Sequence, residues 1–145
     1  MTTPPPTGGA AARTARTART ARTARAVVQA YHGARFRGDV SAAADTLGDP
    51  FRFSSPLMAS DSARDHLAGL EAFLQIVTGV EMVSELYADT EATLVYDVHT
   101  AVPAIGTQRT AEHFHLTGGR IDTIRLIFDA TPWHAVMQAA AAAGA

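Results

Sequence analysis

Up to Gly79 the apolar residues recur at helical spacing, and beyond it they alternate; this one change of period constrains the fold more than any other feature of the chain. In the second half, residues 81–88, 93–102, 107–116 and 121–128 each read as a strand with apolar and polar side chains in turn, and Gly118-Gly119 supplies a hairpin turn between the last two. In the first half, Val27, Val28, Tyr31 and Ala34 or Arg35 give a helical stripe that Gly38 ends. Asp39 can cap a second short helix running through Ala42, Ala43 and Leu47 to a Gly48-Asp49-Pro50 stop. Phe51 to Phe53 alternates like a short strand that Pro56 ends. A third helix is expected from Ser62 or Asp65 to Val77, on the stripe Leu67, Leu70, Phe73, Leu74 and Val77. Helices first and strands afterwards predict an α+β cone, a curved antiparallel or mixed sheet wrapped around three N-terminal helices. Curvature leaves a cavity between the two layers.

With 145 residues, 47% of them hydrophobic, the chain supports one domain, expected over residues 24–134. Residues 1–23 form a low-complexity arm, with an Ala-Arg-Thr repeat from Ala12, expected to be disordered or a frayed helix. Residues 135–145 read as an alanine-rich tail without further information. Five of the twelve arginines fall in the arm and its junction, up to Arg25, whereas every acid lies after residue 38. The remainder carries seven arginines against fourteen acids, a net of −7, and such a body repels phosphate. Nucleic acid is therefore not an expected partner. The absence of cysteine removes disulfides, thiolate metal sites and thiol nucleophiles. No apolar run reaches the length of a membrane span, so no membrane partner is expected and a cytoplasmic protein is anticipated.

Several short motifs carry a resemblance. Ala26-Val27-Val28-Gln29-Ala30-Tyr31, then Gly38-Asp39 and Ser55-Pro56, resemble the opening of bacterial ketosteroid isomerase. Glu112-His113-Phe114, followed by a glycine turn, a strand and Phe128, resembles the closing strands of the same fold. The resemblance spans about residues 24–134 and points to the wider nuclear transport factor 2-like superfamily, with its SnoaL-like and ketosteroid isomerase-like members. It implies a catalytic pair: Tyr31 as hydrogen-bond donor to a substrate oxygen, and Glu112 in place of the acid on a cavity strand. It also implies a loss. The isomerase base, an aspartate followed by proline, falls on Ser55, whose hydroxyl cannot take a proton unaided. Glu112 would then do the acid/base work, as the acid of SnoaL-like cyclases does, with its pKa raised by Phe114, Leu126 and Phe128 around it.

Strand alternation, with the register taken from the family, turns Leu94, Tyr96, Val98, Thr100, Glu112, Phe114, Leu116, Ile124, Leu126 and Phe128 inward. The expected binding residues are Ser55, Tyr96, Phe114 and Phe128, with Tyr31 and Glu112 as the catalytic pair. His66 reads as a surface or rim residue, and Tyr87 and Trp133 as packing. His99, His113 and His115 share the outer face at a spacing that suits two or three metal ligands, but no helical carboxylate-histidine motif supports them, and neither metal nor cofactor is expected. The partner is a hydrophobic small molecule. Two readings stay open: a cofactor-free isomerase, cyclase or dehydratase of a carbonyl compound, and a binding or assembly module that has lost the base. A homodimer is expected through the outer sheet face, at Asp97, His113, His115, Thr123, Arg125 and Ile127.

Overall fold

The computed structural model describes residues 9–144, with side chains from Thr23 onward. Within this range the order is α1 (Gly9–Arg37), α2 (Val40–Asp45), β1 (Leu47–Ser54), β2 (Ala59–Ser60), α3 (Ala63–Ala68), α4 (Leu70–Leu74), β3 (Val77–Tyr87), β4 (Glu91–Thr100), β5 (Thr107–Thr117), β6 (Arg120–Ile127) and α5 (Thr131–Ala143).

The first helix buries Ala24, Val28, Tyr31 and Arg35, positions four, three and four residues apart that form one stripe on an α-helix. Gly38, at φ 77°, ends it in a left-handed conformation that a side chain would oppose. Its N–H bonds the Arg35 carbonyl at 3.1 Å and the Asp39 N–H bonds the Ala34 carbonyl at 2.9 Å, which closes the helix in a Schellman motif. The Asp39 carboxylate then accepts from the Ala42 N–H and starts α2. Two helices are thus joined by a corner two residues long.

The six strands form one sheet in the order β2-β1-β6-β5-β4-β3. Only β1 and β6 run parallel among these neighbours. Burial alternates residue by residue through β4 and β5, so one face packs against the helices and the other lies outside. Register shifts between Met82 and Ser84 and between His115 and Leu116 interrupt this pairing, and such irregularities add local twist and bend to a sheet. Gly118 and Gly119, at φ 59° and 76°, make the β5–β6 turn.

Several boundaries differ from expectation. The third helix breaks at Gly69 into α3 and α4, and its expected end, Val77, opens β3. The Ile76 N–H still closes the last helical turn on the Phe73 carbonyl, and the Ile76 carbonyl already accepts from Ala101 across the strand entrance. The second helix stops at Asp45, because Leu47 pairs with Ile121 in the sheet; Gly48, Asp49 and Pro50 therefore lie within β1, with a cis Asp49–Pro50 bond. The alanine-rich tail is part of α5, begun by Pro132 near its first turn. The helix expected from residue 24 continues back to Gly9 through the arginine repeat, and the first eight residues of the arm lie outside the described residues.

Candidate active site

Glu112 lies at the centre of the layer between α1 and the sheet. It is fully buried on β5, opposite Leu94 on β4 and Leu126 on β6. Tyr96 donates its hydroxyl to Glu112 Oε2 at 2.5 Å, and Arg35 Nη1 donates to both carboxylate oxygens at 3.3 Å. Arg35 Nη1 also reaches the Tyr96 oxygen at 3.4 Å. Arg35 and the Tyr96 hydroxyl both donate to Glu112 and neither accepts from it, which is the environment of an ionised carboxylate. Burial pushes the carboxyl above its ordinary value, and Arg35 and the Tyr96 hydroxyl pull the other way. Burial also works against the Arg35 charge, but attraction from Tyr31, Glu112 and Tyr96 outweighs it, and the guanidinium is held above its ordinary value.

The direction of the Glu112 shift is the one expected from sequence, but the surroundings are not. In place of an apolar wall alone, the carboxylate has a buried cation beside it. Arg35 was legible only as a member of the α1 stripe. An arginine that continues a buried apolar stripe must bring a counter-charge or hydrogen-bond acceptors with it, and that was the available signal.

A cavity of about 280 Å³ opens beside this cluster. Its apolar wall includes Phe53, Leu57, Leu70, Phe73, Phe128 and Trp133, and its polar members are Arg35, Ser55, Asp65, His66 and Gln108. Of the residues expected to form the site, Ser55 and Phe128 lie on this wall. Tyr31, Tyr96, Glu112 and Phe114 do not; they are packed in the core behind it, each 1% exposed or less. Ser55 is further committed to its own turn, where its hydroxyl accepts from the N–H groups of Leu57 and Met58 and donates to the Met58 carbonyl.

His66 stands between core and cavity. Its Nε2 lies 2.7 Å from the Tyr31 hydroxyl, and its ring packs 4.1 Å from that of Phe53, centroid to centroid. Burial, reinforced by Arg35, lowers its pKa to about 3, so the ring is neutral at physiological pH. Burial pushes the Tyr31 phenol upward, so it stays protonated. Tyr31 has no other hydrogen-bond partner among the described residues. It therefore donates to Nε2, and this assignment leaves the His66 proton on Nδ1. Trp133, read from sequence as packing, lies on the cavity wall, where its indole N–H bonds the Gln108 side-chain oxygen and its ring meets Phe73 and Phe128. Alternation along β5 could not reveal Gln108 as its partner, because the two meet only through the docking of α5.

The outer-face histidines are engaged separately. His115 bonds Asp122 at 2.8 Å, His99 bonds Thr107 at 2.8 Å, and His113 comes no nearer than 3.9 Å to Glu91. Among the described residues no group of three or more His, Cys, Asp or Glu side chains is placed to hold a metal, and no helix is long and apolar enough to cross a membrane.

Solved structures share this architecture. A protein from Kribbella flavida DSM 17836 is 32% identical at a TM-score of 0.69, over 78% of this chain and 92% of that one. An NTF2-like protein of unknown function from Cytophaga hutchinsonii ATCC 33406 is 18% identical at a TM-score of 0.63, over 77% and 94%. An LEH-like epoxide hydrolase from M. tuberculosis is 17% identical at 0.62, over 79% and 85%. Other matches carry provisional descriptions as a ketosteroid isomerase and a polyketide cyclase. No family model and no curated protein sequence matches the chain. The chain has the fold of these NTF2-like structures, an α+β cone with a mixed six-stranded sheet.

Proposed function

We propose that this protein binds a small, mainly apolar molecule bearing a carbonyl group, and that Arg35 is the donor that reads the carbonyl oxygen. One observation carries the reading. All hydrogen bonds of the Arg35 side chain start from Nη1, so Nε and Nη2 are uncommitted among the described residues while the residue lines the cavity. Those nitrogens are not sealed in, since the one fully buried side-chain nitrogen or oxygen without a partner among the described residues is His32 Nδ1. Glu112 already balances the guanidinium charge, and Asp65 adds a negative charge at the wall. A neutral acceptor therefore suits the site better than a carboxylate. The cavity volume lies near the lower limit of ligand pockets, about 300–1,000 Å³, and suits one or two rings rather than a steroid.

Three bicyclic probes test this: 2-tetralone, tetralin and 2-naphthoate, followed through quenching of Trp133, the chain's single tryptophan, and by ligand-observed NMR. The ketone should bind more tightly than the hydrocarbon, and the carboxylate most weakly. Equal binding of ketone and hydrocarbon would remove Arg35 from the reading.

The enzymatic alternative, an isomerase, cyclase or dehydratase of such a compound, is favoured by His66, which lies on the wall with the Tyr31 hydroxyl bonded to it from behind. A purely binding role is favoured by Ser55, which stands in the place of a base and is occupied by its turn.

We also propose a homodimer through the outer sheet face, where Ile127 is 61% exposed beside Arg125, His113 and His115. Sedimentation should give twice the 15.2 kDa of the chain, and Ile127→Asp should give the monomer.

A further inference from the structure

We infer that the ligand of this cavity carries oxygen at both ends of an apolar body: a carbonyl that Arg35 reads and, at the far end, a neutral oxygen that accepts from the side-chain amide of Gln108. This ligand class rests on the binding reading above and narrows it to a compact two-ring compound with oxygen at opposite ends.

Gln108 is oriented by its partners. The Trp133 indole N–H can only donate, so it fixes Oε1 as the atom it meets, and Nε2 on the other side donates to Thr110 Oγ1 at 3.1 Å. Thr110 is buried, and the amide is held between this core hydroxyl and α5. An amide nitrogen carries two N–H bonds, and only one is used here. The Gln108 side chain makes no further hydrogen bond among the described residues, while Gln108 lines the cavity. The fold thus employs the oxygen and one proton and leaves the second proton to the site. A donor already held in place loses little freedom when a ligand meets it, which favours binding.

The spacing of the two donors sets the length of the ligand. Gln108 and Glu112 both face inward on β5, four residues apart, which is about 13–14 Å along a strand. Arg35 is bonded to Glu112, so Arg35 and Gln108 stand near opposite ends of this span, on a wall that is otherwise mainly apolar. Two hydrogen bonds of about 2.9 Å leave about 8 Å between the ligand oxygens, the separation that positions 2 and 6 of a fused two-ring skeleton provide. The second oxygen is neutral. A carboxylate or phosphate there would lose its water to a neutral amide and gain no opposing charge.

Two compounds of nearly the same shape test this, 6-methoxy-2-tetralone and 6-ethyl-2-tetralone, with 2-tetralone as the reference and binding followed by ligand-observed NMR. With the full-length protein the methoxy compound should bind about 3–10-fold more tightly than the ethyl one, the worth of one neutral hydrogen bond. One of the two Gln108 side-chain amide proton signals should move downfield with the methoxy compound and stay in place with the ethyl one. Gln108→Glu keeps an oxygen for the Trp133 N–H, has no N–H to offer when ionised, and should abolish or reverse the preference. Binding of 2-tetralone with no preference for methoxy over ethyl in the wild type would overturn the inference and leave the binding reading standing, whereas absence of binding by all three compounds would overturn both. A preference that survives unchanged in a folded Gln108→Glu protein would take the contact away from Gln108.

Discussion

Two arginine–carboxylate pairs in this molecule have similar chemistry and opposite settings. Arg109 and Asp97 meet on the outer face in a two-pronged contact at 2.7 and 2.8 Å, with the arginine side chain 65% exposed. Arg35 and Glu112 meet at 3.3 Å, with side chains 10% and 0% exposed. By distance the surface pair is the better one. By consequence it is the lesser, because water and salt replace either partner outside, whereas a charge left alone inside has no substitute.

The largest expected effect follows from breaking the inner pair. Glu112→Ala should cost about 3–5 kcal/mol in urea unfolding, since it leaves the Arg35 charge buried and unpaired. The double variant Arg35→Met/Glu112→Leu should recover most of that loss. If the double variant is as unstable as the single one, the cost lies in packing and not in the stranded charge.

Tyr31→Phe tests the neighbouring contact. It removes the hydroxyl that bonds His66 Nε2 and should cost about 1–3 kcal/mol for the unpaired nitrogen. Nitrogen chemical shifts should show the His66 proton on Nδ1 in the wild type and a mixture of tautomers in the variant. An unchanged tautomer would mean that Tyr31 does not set it.

Acid separates core from surface in a third way. His66 and His32 are lowered by burial to about 3 and about 4 from 6.5, so between those values and 6.5 the unfolded chain binds protons that the folded chain refuses. Their contribution to stability is complete above pH 6.5 and declines as the pH falls toward 3–4. Glu112, raised by burial, acts in the opposite sense. The comparison of wild type with His66→Asn isolates one histidine: the variant should lose less stability between pH 6.5 and 4. Parallel pH curves would show that His66 titrates alike in both states.

The smallest effect should come from Arg109→Ala, which should shift the urea midpoint far less than Glu112→Ala and less still in high salt. A large shift would mean that the outer face is covered, as the proposed dimer would cover it.

Much of this fold was legible because alternation and helical spacing are local. The burial of Tyr96, Glu112 and Phe114 and the outward turn of His113 and His115 follow from period two once one face is committed to a core. The Asp39 cap and the Gly38 stop follow from single-residue chemistry. Inward orientation does not, however, separate residues that fill a core from those that line a cavity. Tyr96, Glu112 and Phe114 fill, and Leu126 and Phe128 line, although all five follow the same alternation. That division depends on where α1, α3, α4 and α5 come to rest on the sheet, a matter of long-range packing. The sequence by itself determined the helical half, the alternating half and the inward face. Only the tertiary structure decided that Arg35 would meet Glu112, that His66 would meet Tyr31, and that Asp65, His66 and Trp133 would share a cavity. These partners are brought together by chain closure across 77, 35 and up to 68 residues, and no short-range pattern encodes such a meeting.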